Sequence, residues 1–133
     1  MKILIVDDDV VSRITLLRFF SDHGNCAVAT DGFEGVDLFK GALEGGEPFD
    51  LICMDIQMPG LCGIDALARM RDMERTAGIV PGREAKAVMV TCHDDVKNVS
   101  ASFFQAQATC FVAKPVSFNT LAATLRRENI LPS

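Results

Sequence analysis

Four short apolar runs in this chain end on residues that can do chemistry. Ile3-Leu-Ile-Val6 stops at Asp7-Asp8-Asp9, and Leu51-Ile-Cys-Met54 stops at Asp55. Ala87 to Val90 ends at Thr91, and Cys110 to Ala113 ends at Lys114. If these runs lie side by side in one direction, their ends converge although Asp7 and Lys114 are far apart in the chain. Three close carboxylates, Asp7, Asp8 and Asp55, repel one another and raise each other's pKa unless a cation sits among them. A hard divalent ion with oxygen ligands suits such a cluster, Mg2+ foremost. Lys114 adds a mobile positive charge and Thr91 a hydroxyl donor. A transferred phosphoryl group needs that set: a metal and an ammonium to neutralise its oxygens, and a carboxylate as acceptor. Taken singly, Asp55 reads equally well as an acid capping the Met58-Pro59-Gly60 turn, and the others as helix caps and a salt bridge. Their joint placement at four strand ends argues against that.

The elements that must position these residues follow from periodicity. The four runs read as strands one, three, four and five, with Cys26 to Ala29 as strand two. Val10, Ile14, Leu17 and Phe20 recur at helical spacing to about Asp22, and Gly24 closes that first helix. Asp31 caps a second helix carrying Val36 and Phe39, which dissolves in Gly45-Gly46. Ile64, Leu67, Ala68 and Met70 mark a third helix; Val96, Val99, Phe103 and Phe104 mark a fourth. Ser117 caps the last, with Leu121, Ala122 and Leu125 facing inward. Strands one, three, four and five show no polar alternation, the pattern of a parallel sheet covered on both faces. Right-handed crossovers cover both faces only if the chain reverses direction once, and ligands bind at the strand carboxyl ends beside that reversal. The expected fold is a doubly wound α/β domain, five parallel strands alternating with five helices. The polar stretch from Glu74 to Ala85, holding Gly78, Pro81 and Gly82, is expected as a surface loop at the opposite face.

Bulk properties narrow the function classes. At 133 residues the chain is expected to be one domain, able to bury its core without metal or disulfide staples. Its net charge of −5 argues against a non-specific grip on nucleic acid or anionic membrane. No run approaches the roughly 18 apolar residues of a membrane span, and Met1 leads into a strand, so a cytoplasmic protein is expected. The five cysteines are scattered, with no C-x-x-C pair, and read as small buried hydrophobes in a reducing compartment.

Ile-Val-Asp7-Asp8, Met-Asp55-Ile-Gln-Met-Pro59-x-x-x-Gly63, Val-Thr91-Cys and Phe111-Val-Ala-Lys114-Pro115 together closely resemble the receiver domain of two-component response regulators. The resemblance runs from Lys2 to about Glu128. It implies a flavodoxin-like sheet with strand order 2-1-3-4-5, residues 1–133 forming a single receiver. It implies that Asp55 accepts a phosphoryl group from a histidine kinase or histidine phosphotransfer protein. Mg2+ would be held by Asp8, Asp55 and the main-chain carbonyl of Gln57, with Asp7 helping directly or through water. Thr91 and Lys114 would contact the phosphoryl oxygens, and the Lys114-Pro115 bond would be cis. Phe111 matches the switch aromatic, expected to turn inward as Thr91 moves, or is simply core. The face formed by the fourth helix, fifth strand and last helix would then be read by a downstream protein target. Gln57 and His93 stand where the family tunes hydrolysis of the acyl phosphate; His93 also reads as a plain loop residue.

Some positions depart from the family pattern. Cys92 replaces a common alanine but stays small, Gln107 replaces a helix-ending glycine, and Cys62 replaces a common polar residue before Gly63. The last helix ends a few residues before Ser133, so no output domain is expected. The chain reads as a stand-alone receiver, monomer or weak dimer, or as one excised from a hybrid kinase. It is not expected to be an enzyme. An aspartate-nucleophile phosphatase usually has a second acid two residues after the nucleophile, where this chain has Gln57. A nucleotide- or flavin-binding module would offer glycines where Asp7-Asp8-Asp9 stands. A degenerate receiver would lack some of the five site residues, and all five are present.

Overall fold

The computed structural model describes residues 1–92 and 108–132. Five strands, β1 (Lys2–Val6), β2 (Asn25–Ala29), β3 (Leu51–Asp55), β4 (Lys86–Thr91) and β5 (Cys110–Ala113), form one sheet in the order β2-β1-β3-β4-β5. All four pairings are parallel. Four helices lie among the described residues: α1 (Val10–Ser21), α2 (Gly32–Glu44), α3 (Gly63–Thr76) and α4 (Phe118–Arg127), the last being the helix expected after Ser117. The helix expected over Val96 to Phe104 lies outside the described residues, as do His93 and Gln107. Among the described residues no helix is long and apolar enough to cross a membrane.

The unbroken apolar runs have a direct physical cause. Successive side chains of a strand face opposite sides, and here both sides are covered. Ile3, Ile5, Leu51, Cys53, Val88 and Val90 pack with Leu16, Phe19 and Phe20 of α1 and Leu121 and Leu125 of α4. Leu4, Val6, Ile52, Met54, Ala87 and Met89 pack with Val36 and Phe39 of α2 and Leu67 and Met70 of α3. Each fully buried Leu, Ile or Met contributes about 1.5–3 kcal/mol by leaving water. A one-residue slip of β1 or β3 would draw Asp7 or Asp55 into that core, so the acids at the strand ends help to fix the register.

The helices start where their caps place them. The Asp9 carboxylate accepts from Ser12 N at 3.0 Å, Asp31 from Glu34 N at 2.8 Å, and the Ser117 hydroxyl from Thr120 N at 3.2 Å. Cys62 stands at the cap of α3 and makes no side-chain cap bond. The inward face of α1 differs from its apolar spacing. Val10 and Ile14 are exposed, and the buried stripe is Ser12, Leu16, Phe19 and Phe20. Apolar residues surround this helix on all sides, and the two bulky phenylalanines set its phase against the sheet. In α3, likewise, Ala66 is buried and Ala68 exposed.

The polar link is also shorter than it reads, because α3 continues through Thr76 and Glu74 is a buried helical residue. Its carboxylate accepts from Arg71 Nη1 at 2.7 Å and from Ala85 N at 2.7 Å, while Arg71 Nη1 also donates to Ala85 O at 2.8 Å. Two buried charges thereby tie the end of α3 to the start of β4. Of the cysteines, Cys53 and Cys110 are buried, Cys26 and Cys62 half-buried, and Cys92 exposed, all with free thiols. Burial pushes the Cys110 thiol up to about 11, and the Cys53 thiol higher still, which keeps both inert.

Candidate functional site

Strand register brings the predicted residues together. Val6 pairs with Met54, so the residues that follow, Asp7 and Asp55, leave the sheet side by side. Asp55 pairs with Val90, placing Thr91 one step on, and Thr91 pairs with Ala113, after which comes Lys114. The gap between β1 and β3 is where the chain reverses its winding, the usual place for a ligand in such sheets. The chain then turns sharply away from Asp55. Gly63 N donates to Ile56 O at 2.7 Å, and a Cβ at Gly63 would collide with the Asp55 carbonyl. That close approach explains why a glycine follows the acid at this spacing. Gly60, at φ 82°, supplies the left-handed residue of the same turn.

Asp7 is fully buried and Asp55 nearly so. The Lys114 ammonium lies 3.0 Å from Asp55 Oδ2 and 3.5 Å from Asp7 Oδ1. Gln57 N donates to Asp55 Oδ1 at 3.2 Å, and the Gln57 side chain is exposed. Thr91 is buried and its hydroxyl donates to Cys92 O at 3.2 Å, while its carbonyl accepts from Lys114 N at 2.7 Å. Phe111 sits on β5 opposite Met89, 38% exposed, and so is outside the buried core in this conformation. The Lys114-Pro115 bond is cis. His93 lies outside the described residues.

Burial pushes the Asp55 carboxyl up to about 6; Lys114 opposes that rise and the charge of Asp7 adds to it. Burial likewise raises Asp7, against the Asp9 amide and Lys114. For Lys114, burial works against the charge, but the bond to Asp55 and the charges of both acids outweigh it and raise the pKa. Acids held above their ordinary range here mark burial that Lys114 offsets only in part, a shortfall of compensating interactions.

A divalent cation fits that shortage. Asp7, Asp8 and Asp55 can each place an oxygen within 4.8 Å of the others. Asp7 Oδ2 is buried without a hydrogen-bond partner among the described residues, a costly state that a bound cation would relieve. Among the described residues one ammonium, that of Lys114, pairs with two of these three carboxylates, Asp7 and Asp55, while the nearby Arg13 guanidinium bonds the Asp7 main chain instead. All-oxygen donors of this kind suit Mg2+ or a similar hard ion.

Two contributors were not singled out by their residue type. Asp9 caps α1 and its amide donates to Asp7 Oδ1 at 2.9 Å. An acid directly before the first helical residue is a readable cap signal. Arg13 Nη1 donates to the Asp7 carbonyl at 2.9 Å, and nothing in its spacing announces that.

The sequence model of the response regulator receiver domain matches residues 3–126. The chain belongs to the response regulator receiver domain family. Two-component response regulator 24 of Arabidopsis thaliana is 32% identical over 127 residues, covering 95% of this receiver and 82% of that protein. The sensory/regulatory protein RpfC of Xanthomonas campestris pv. campestris is 30% identical over 125 residues. That match takes in 94% of this receiver but only 16% of RpfC. Among solved structures, the receiver domain of the Arabidopsis thaliana histidine kinase CKI1, complexed with Mg2+ and BeF3−, is 28% identical with a TM-score of 0.82. The superposition covers 98% of this receiver and 90% of that chain.

Proposed function

We propose that residues 1–133 act as one receiver in which Asp55 accepts a phosphoryl group from a phosphohistidine of a histidine kinase or histidine phosphotransfer protein. The observation that carries this reading is the pairing of Asp55 with Lys114 at 3.0 Å, beside a buried Asp7 oxygen that has no hydrogen-bond partner among the described residues. An Asp55 oxygen attacks phosphorus, the nitrogen–phosphorus bond of the donor breaks, and the imidazole leaves with the electron pair and takes up a proton. Mg2+, held by Asp7, Asp8, Asp55 and the main-chain carbonyl of Gln57, would offset the charge of the phosphoryl oxygens when bound. The CKI1 receiver, complexed with Mg2+ and BeF3−, supports this choice of ion. Lys114 stays beside the new oxygens. Thr91 turns its hydroxyl from Cys92 O toward them.

That movement sets the output. As Thr91 moves, Phe111 turns inward behind it, and the face around β5 and α4 changes shape for a downstream protein target. Bonds to a charged group contribute about 1.5–3 kcal/mol each. Lys114 is in place in both states, so the new Thr91 bond is the differential one and supplies part of the roughly 5.5 kcal/mol that moves a population from 1:99 to 99:1. Gln57 and His93 flank the acceptor and set the lifetime of the mark; Gln57→Ala and His93→Ala therefore change the dephosphorylation rate, and unchanged rates in both would remove that role. The test of the whole reading is intact-mass spectrometry after incubation with Mg2+ and acetyl phosphate. The wild type gains one base-labile phosphoryl mass and Asp55→Asn gains none. An equal gain in Asp55→Asn, or no gain with acetyl phosphate or any histidine kinase, overturns it.

A further inference from the structure

We propose that Arg13 is a positioning residue for the cation at this site, fixing the Asp7–Asp8 peptide and through it the aim of both carboxylates. The inference rests on the reading of Asp7, Asp8 and Asp55 as cation ligands. Asp7 N donates to Ala29 O at 3.2 Å, and Asp7 Oδ1 accepts from Asp9 N at 2.9 Å and from Lys114 Nζ at 3.5 Å. The Asp7 carbonyl accepts from Arg13 Nη1 at 2.9 Å. With those atoms tied, Asp7 Oδ2 is the oxygen left over, buried and without a hydrogen-bond partner among the described residues. Asp8 is exposed and lies past the end of β1, so its aim follows the peptide that precedes it. Arg13 reaches that peptide from the first turn of α1, where its own amide bonds to Asp9 O at 2.9 Å. One guanidinium therefore locks the strand end to the helix start across the turn that carries both acids.

The sign of the effect separates this role from simple electrostatics. Arg13 is a positive charge near a cation site, so charge alone predicts that its removal tightens ion binding. Positioning predicts the reverse. The test is a Mn2+ titration read by electron paramagnetic resonance of the free ion, since the chain has no Trp or Tyr to report by fluorescence. Melting by far-UV circular dichroism checks the fold of each variant. Arg13→Met, which keeps the stem but removes charge and donors, is expected to weaken Mn2+ binding about tenfold, the scale of outer contacts that orient metal ligands. Arg13→Lys, with the charge kept on a rotatable donor, falls between Arg13→Met and the wild type. Wild-type binding that depends on Asp8 (lost in Asp8→Asn), alongside Arg13→Met binding as tightly as the wild type or tighter, overturns the role of Arg13 alone. If Arg13→Met does not fold, Arg13→Lys decides, and affinity at or above the wild type overturns the role. A wild type that takes up no ion, or is indifferent to Asp8→Asn, overturns the reading of the site and this inference with it.

Discussion

The two ends of the sheet treat buried carboxylates differently. At the amino end of β4, Arg71 and Glu74 are both almost fully buried, and Glu74 has both oxygens engaged, one by Arg71 and one by Ala85 N. At the carboxyl ends, Asp7 and Asp55 are buried just as deeply, and burial lifts both acids above their ordinary range. At the β4 end the Glu74 carboxylate is fully engaged within the chain. At the carboxyl ends one Asp7 oxygen has no hydrogen-bond partner among the described residues, which is what the proposed cation site calls for. The buried clamp and the candidate site thus lie at opposite ends of the same five strands, joined by α3. That helix begins beside Asp55 at Gly63 and ends at the Glu74 clamp.

This contrast can be broken by substitution. Glu74→Ala takes the paired carboxylate away from the buried Arg71 guanidinium and is expected to cost about 3–5 kcal/mol of stability in urea unfolding, the usual scale for half of a buried pair. If the ends are independent, its increment of stability on adding Mg2+ matches that of the wild type. Asp55→Asn acts through pH. The folded Asp55 has a pKa of about 6 against 3.8 for an ordinary aspartate. A raised acid contributes stability that is complete below the unfolded pKa and lost as pH rises through the folded one. The wild type without metal therefore loses about 2 kcal/mol relative to Asp55→Asn between about pH 4 and pH 7. Thermal melts at the two pH values in chelator give that difference, and equal slopes for the two proteins would contradict it. Mg2+ at about ten times its Kd stabilises the wild type by about 1.4 kcal/mol near neutral pH and less in acid. The smallest effect is expected from Asp31→Ala, which removes the α2 cap. It costs about 1 kcal/mol and leaves the Mg2+ increment unchanged in the same melts.

The legibility of the sequence divides along the same line. Strands whose ends carry chemistry were readable because their runs are apolar on both faces and stop abruptly at a charged or hydroxyl residue. Asp7, Asp55, Thr91 and Lys114 then follow from register alone. The phase of α1 was not readable, since Val10, Val11, Ile14 and Leu17 offer as good an apolar stripe as Leu16, Phe19 and Phe20. Only the fit of two phenylalanines against the sheet decides between them. The Glu74 clamp was hidden for a different reason. A Glu next to Arg75 in a polar stretch looks solvated, and its partners, Arg71 and the Ala85 backbone, lie on both sides of the loop it closes. Arg13 was missed because its partner is a main-chain carbonyl, which no side-chain pattern encodes.

The measurement that bears most directly on the account is the position of the phosphoryl mark. The protein is incubated with acetyl phosphate and Mg2+, reduced with borohydride so that an aspartyl phosphate becomes homoserine, and mapped by peptide mass spectrometry. The account predicts homoserine at position 55 when Mg2+ is present, and none when the ion is chelated. Homoserine at Asp7 or Asp8 with Asp55 unmodified would contradict it.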